Sequence, residues 1–137
     1  LNYTDEGFSM TNLELIKELY RAFREKDDDA FLKICTPNIE WIQNPGFPEG
    51  KTYIGAQAVI EGVFKAFNND WKSWSFEIEQ YLDAGEEMIV IGSYVGCHRV
   101  SGKSFCSPAA HVYDIHNGKV CRFRQFTDTK LIWDAMD

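Results

Sequence analysis

The chain has 137 residues, 45% of them hydrophobic and 15% aromatic, enough to bury one sizeable core. Its formal charge is −7, from 21 acids against 14 bases, and the scattered bases argue against a nucleic-acid or acidic-membrane partner. No apolar stretch approaches the roughly 18 residues of a membrane span, and residues 1–30 are too polar and acidic for a signal peptide, so a soluble, cytoplasmic protein is expected.

Asn2-Tyr3-Thr4 has the N-glycosylation pattern, which carries little weight without a secretory context. Thr11-Asn12-Leu13-Glu14 is a capping box, in which the Thr11 hydroxyl accepts from the Glu14 amide while Glu14 reaches back. Behind it Leu13, Ile16, Leu19, Tyr20 and Phe23 recur at helical spacing, predicting a helix that ends near Lys26. Asp28 is expected to cap a second, shorter helix carrying Phe31, Ile34 and Cys35, ended by Pro37. Residues 39–46, IEWIQNPG, read as a short strand stopped by Pro45-Gly46, with a Gly- and Pro-rich loop over 44–52. Gly55 opens a third helix with Ile60, Val63, Phe64 and Phe67 on one side, closed by Asn68-Asn69.

From Trp74 the period changes to two: Trp74, Phe76 and Ile78 alternate with Ser75, Glu77 and Glu79. Residues 87–97, 104–115 and 119–127 read as three more strands, with Ser101-Gly102 and Asn117-Gly118 at the hairpin turns. Leu131 to Met136 closes the chain as a helical turn. This order predicts an α+β fold: a curved antiparallel sheet wrapped around helices to form a conical cavity, one domain over 1–137.

The chemistry-bearing residues are few. There is no G-x-S-x-G elbow, P-loop or G-x-G-x-x-G, so no nucleotide cofactor is expected. His98, His111 and His116 lack metal-ligand spacing, and Cys35, Cys97, Cys106 and Cys121 form no C-x-x-C pair, so no metal site is expected. The cysteines read as free thiols, with a Cys97–Cys106 bridge as the alternative for an exported protein. Tyr20 lies on the apolar stripe of the first helix, and its buried hydroxyl needs a partner. His111 lies in a strand expected to be central, and Phe123, Gln125 and Thr127 share one face of the last strand. Asn44 either opens the turn at Pro45 or stands at the mouth of a pocket.

The layout, the turn Tyr53-Ile54-Gly55, AHVYDIHNGKV and FRQFTDT resemble the nuclear transport factor 2-like superfamily, especially its SnoaL-like and steroid Δ-isomerase-like members. The resemblance covers nearly the whole chain and implies the conical α+β fold. Steroid isomerases carry an oxyanion-hole tyrosine on helix 1 and a catalytic aspartate before a proline. Tyr20 and Asn44-Pro45 match these positions without a gap, and His111 matches the second oxyanion donor with one residue deleted. Asn44 replaces the proton-shuttling aspartate, so isomerisation by that route is expected to be absent. Gln125 replaces the last-strand carboxylate of epoxide hydrolases of this fold. A last-strand aspartate of SnoaL-like cyclases is missing too, unless Asp128 turns inward rather than capping the tail.

The resulting expectation is a cofactor-free enzyme of isomerase, cyclase or dehydratase type acting on a hydrophobic carbonyl-bearing substrate. Tyr20 would donate to a developing oxyanion, and His111, titrating near neutral pH, would serve as acid or base. Asn44, Ile42, Phe123, Gln125 and Thr127 would bind the substrate. A non-catalytic ligand-binding or dimerisation module is the alternative. A homodimer through the face carrying Arg122, Arg124 and Phe126 is expected in either case.

Overall fold

The computed structural model describes residues 2–3 and 9–137; Thr4, which completes the glycosylation-type triplet, lies outside them. Two short strands, β1 (Asn2–Tyr3) and β2 (Ser9–Met10), pair with each other ahead of the first helix, α1 (Asn12–Arg24). The capping box is present in both directions: Glu14 N–H donates to Thr11 Oγ1 at 3.1 Å and Thr11 N–H to Glu14 Oε1 at 3.0 Å. Such a cap contributes about 1 kcal/mol. Ile16, Leu19 and Tyr20 turn inward, and each aliphatic side chain so buried contributes roughly 1.5–3 kcal/mol.

The helix ends in a Schellman arrangement. Asp27 N–H donates to Ala22 O at 2.8 Å, and Lys26 N–H to Phe23 O at 3.3 Å. The residue in the left-handed position is Lys26 (φ 55°), where glycine or asparagine is the usual choice. Asp27, not Asp28, caps α2 (Asp28–Ile34), accepting from the Ala30 N–H at 3.1 Å. Pro37 does not end that helix. The chain turns extended at Cys35, and Pro37 lies within β3 (Cys35–Ile42).

The loop expected over 44–52 is followed by an edge strand the sequence did not announce, β4 (Thr52–Ile54), antiparallel to β3. Gly55, at φ 93°, then opens one helical run. Its segments are α3 (Ala56–Val59), a π-helical turn over Ile60–Phe64 and α4 (Lys65–Asp70). The π turn is marked by Lys65 N–H donating to Ile60 O, an insertion often found at functional sites. Gly62 within it lies against the Tyr53 ring; a Cβ there would come within 2.6 Å of Cε2.

A long meander follows, β5 (Trp71–Asp83), β6 (Glu87–His98), β7 (Ser104–His116) and β8 (Lys119–Thr127), closed by α5 (Thr129–Met136). Asn117 and Gly118 both have positive φ, 51° and 77°, as the predicted two-residue hairpin turn requires. The six-stranded sheet runs β4-β3-β8-β7-β6-β5 and is curved and unclosed, an α+β domain as expected. It is not wholly antiparallel. The chain leaves β3 through a helical run and a meander, and its last strand returns beside β3 in the same direction, so β3 and β8 pair in parallel. Helices α1 and α2 and the π turn cover the inner face, where burial strictly alternates along β6, β7 and the second half of β8.

Candidate functional site

Five polar side chains meet in the middle of this apolar inner face. His111, on the central strand β7, is 4% exposed. Its Nδ1 lies 2.7 Å from the Tyr20 hydroxyl of α1, and its Nε2 lies 2.6 Å from the Tyr94 hydroxyl of β6. Tyr113, two residues along β7, donates to the Tyr20 oxygen at 3.0 Å. Gln125, opposite His111 on β8, donates from Nε2 to the Tyr94 oxygen at 2.8 Å. The orientation of that amide is fixed from behind, because Gln125 Oε1 accepts the Asn44 backbone N–H at 3.0 Å.

Counting hydrogens along this chain decides what it can offer a ligand. A neutral imidazole has one N–H and one acceptor nitrogen, so one of the two tyrosines bonded to it must donate and the other accept. With the hydrogen on Nδ1, Tyr94 donates to Nε2, while Tyr20 accepts from both Tyr113 and His111. The hydrogen of Tyr20 is then unspent. With the hydrogen on Nε2, Tyr20 donates to Nδ1, while Tyr94 accepts from both Gln125 and His111. The hydrogen of Tyr94 is then unspent. Either tautomer leaves one buried tyrosine O–H without an acceptor inside the network.

Burial holds the imidazole neutral, pushing its pKa down to about 3. The expectation that His111 titrates near neutral pH is therefore corrected: burial opposes the imidazolium, and among the described residues no carboxylate bonds to the ring to offset it. Burial likewise raises the Tyr20, Tyr113 and Tyr94 hydroxyls above the ordinary tyrosine range, so all three remain protonated donors. Phe76 stacks on the imidazole at 4.1 Å between centroids and 25° between planes, and Phe123 meets it edge-on at 5.0 Å. Gly92 makes room for Phe76, since a Cβ there would lie 2.9 Å from that ring and 2.3 Å from Glu77 O.

An inner cavity of about 40 Å³ borders Tyr20, Tyr94, Tyr113 and His111, with Trp41, Gln43 and Phe123 completing the sheet side. A wider groove of about 360 Å³ adjoins it between the C-terminal end of α1, the π turn and the start of β5. The two share Tyr20, Phe23, Phe64, Trp74 and Phe76, so these rings stand where the groove meets the cavity.

The structure thus brings together Tyr20, His111, Phe123 and Gln125 of the sequence-predicted set. Asn44 stands one hydrogen bond behind the cavity. It orients Gln125 through its backbone, donates from Nδ2 to Thr127 O at 3.1 Å, and opens a turn in which Phe47 N–H donates to its carbonyl. Thr127 borders neither the cavity nor the groove; its hydroxyl donates to Pro108 O at 2.9 Å. Ile42 is placed elsewhere: with Trp41 and Gln43 buried, the strand's alternation turns Ile42 to the outer face opposite Arg124. The inward residues of that stretch are Trp41 and Gln43, joined by an Nε1–H to Oε1 bond of 3.0 Å. Asp128 caps α5 through the Lys130 N–H rather than turning inward.

Sequence reasoning missed Tyr94 and Tyr113. Both stand at inward positions of period-two strands, and the alternation through VYD and SYV could have indicated them. All four cysteines are free thiols, and among the described residues no group of three or more His, Cys, Asp or Glu could hold a metal ion.

The SnoaL-like domain family matches residues 16–123. The chain belongs to this family. An NTF2-like protein from Burkholderia thailandensis E264 is 35% identical, with a TM-score of 0.89 and coverage of 94% of this chain and 99% of the other. TerC co-crystallised with polyporic acid is 22% identical, with a TM-score of 0.80 and coverage of 91% and 97%. A putative SnoaL-like polyketide cyclase from Jannaschia sp. CCS1 is 17% identical, with a TM-score of 0.78 and coverage of 95% and 97%. The last two share the fold. No curated protein matches the chain at a significant level. Among the described residues no helix is long and apolar enough to cross a membrane.

Proposed function

We propose that this SnoaL-like protein is a cofactor-free tautomerase or isomerase of small conjugated carbonyl compounds, with the Tyr20–His111–Tyr94 chain as a proton relay. The observation that carries the reading is the imidazole bonded at both nitrogens to tyrosines that border one cavity. A substrate carbonyl takes the place of the missing acceptor at Tyr20. As enol forms, Tyr20 gives its proton to the carbonyl oxygen and takes the Nδ1 proton of His111. Nε2 takes the Tyr94 proton, and the Tyr94 oxygen takes the proton leaving the substrate carbon. Every proton is accounted for, and the imidazole changes tautomer without becoming charged.

The site so reached is the second hydrogen arrangement described above, and ketonisation at another carbon runs the relay backwards and resets it. A depressed imidazole pKa disables ordinary general-base catalysis near neutral pH but does not oppose a neutral relay. Tyr20 and Tyr94 sit on opposite sides of the ring, which suits a conjugated system whose acidic C–H is remote from its carbonyl oxygen. The dry, preorganised O–H at Tyr20 supplies stabilisation where charge develops.

The test is deuterium incorporation from D2O into a panel of conjugated enones and phenolic ketones, followed by NMR. Acceleration by the protein, lost on the order of 100-fold in both Tyr20→Phe and Tyr94→Phe, is the expected result. A Tyr94→Phe variant as active as the parent would overturn the relay. The second reading, a non-catalytic binder, is favoured by the absence of Asp, Glu, Lys and Arg from the described lining of the inner cavity. Under it Tyr20→Phe weakens ligand binding while no member of the panel exchanges faster.

We also propose a homodimer through the outer sheet face. There Phe126 is 51% exposed, an aromatic ring on an open sheet face that a twofold partner would cover. Light scattering should report two chains for the parent and one for Phe126→Asp.

A further inference from the structure

We propose that the ligand of this pocket is an amphipathic monoanion, a small aromatic or polycyclic carboxylate, whose charged end rests at the groove mouth while its carbonyl reaches Tyr20. The inference rests on the pocket reading above and deepens it by naming the ligand class. Three cations, Arg24, Lys26 and Lys65, line the outer groove against one acid, Asp28, on a chain whose net charge is −7. Among the described residues none of the three forms an ion pair, whereas neighbouring Arg21 is engaged by Glu18, Glu25 and Asp27. The rim therefore holds positive charge that the fold itself does not neutralise, in a protein otherwise dominated by acids.

Lys26 adds an independent sign. Its left-handed backbone at the end of α1 favours glycine or asparagine, yet a long cationic side chain stands there, beside the mouth. Strain of this kind gathers where a side chain is wanted for a purpose other than stability. The groove, about 360 Å³, is at the small end of ligand pockets, and Tyr20 borders both it and the inner cavity. One molecule can thus reach from the rim cations to the hydroxyl. A guanidinium beside two ammonium groups suits a carboxylate, which Arg24 can hold through two parallel bonds.

The discriminating pair is 4-benzoylbenzoate and its methyl ester, which share a ketone and differ in charge at the far end. Binding is read by quenching of Trp74, which lines the groove and the cavity. The acid should bind about three- to tenfold tighter than the ester at low salt, a preference that salt erodes. Arg24→Gln with Lys65→Gln should reduce the preference to what Lys26 alone sustains and leave the ester unchanged. Lys51→Gln with Lys103→Gln, the same change of charge away from the groove, should preserve it. Tyr20→Phe should weaken both compounds alike. Equal affinity of the parent for acid and ester, or a preference undiminished in Arg24→Gln with Lys65→Gln, would overturn this inference and leave the pocket reading standing. Binding of neither compound would overturn both.

Discussion

Two histidines are buried in this domain, and their surroundings differ in a way that separates scaffold from site. His98, 8% exposed at the end of β6, accepts the Ser101 backbone N–H at 3.3 Å and meets the Trp71 ring at 4.9 Å. It ties a hairpin turn to the neighbouring strand. His111 has tyrosine hydroxyls at both nitrogens, no backbone partner, and a cavity alongside. Burial is common to both. What marks His111 is that its partners are themselves able to donate or accept, so its hydrogen-bond pattern has two states of similar quality.

The largest consequence of this difference is on acid stability. The His111 pKa falls from 6.5 to about 3 on folding, so below pH 6.5 the unfolded chain takes up a proton the folded chain refuses. Stability is full above pH 6.5 and declines as pH falls toward 3, by roughly 4–5 kcal/mol in all. Urea unfolding across this range should show the slope, and His111→Gln should flatten it. A parent protein equally stable at pH 4 and pH 7 would break the comparison.

Next in size is Gly92→Ala, whose Cβ would meet Glu77 O and the Phe76 ring. It should cost about 1–3 kcal/mol in chemical denaturation and displace the ring from His111. Tyr20→Phe should cost about 1–2 kcal/mol, since it strands a buried nitrogen and the Tyr113 hydroxyl, and it should weaken ketone binding. His98→Gln should leave ketone affinity as it was, which sharpens the contrast. The smallest effect has the opposite sign: Lys26→Gly should stabilise the fold by about 1 kcal/mol, relieving the left-handed backbone, while lowering affinity for aromatic acids.

Much of this was legible in the chain. The capping box of Thr11 and Glu14, the helical stripe through Ile16, Leu19 and Tyr20, and the Asn117-Gly118 turn follow local rules that the tertiary structure leaves intact. β4 was hidden because three residues, Thr52–Ile54, carry no period of their own and are extended only by pairing with β3. The parallel pairing of β3 with β8 depends on where the chain returns, which no local pattern encodes. At the site, Tyr20 and His111 were found from residue type and face. Ile42 was misplaced because IEWIQN can be read in two registers, and only the burial of Trp41 and Gln43 chooses between them. The His111 pKa was beyond reach of the sequence for the same reason: it depends on what packs around the ring, here Phe76, Phe123 and two tyrosines.

The most direct test of the relay is the imidazole nitrogen spectrum of His111, recorded by 15N NMR from pH 7.5 to 4 and again with 4-benzoylbenzoate or its methyl ester bound. The relay requires a neutral ring throughout, with two distinct nitrogens whose tautomer balance moves toward Nδ1–H when a ketone accepts from Tyr20. A ring that protonates with an ordinary pKa near 6.5, or one whose tautomer ignores a bound ketone, would contradict it.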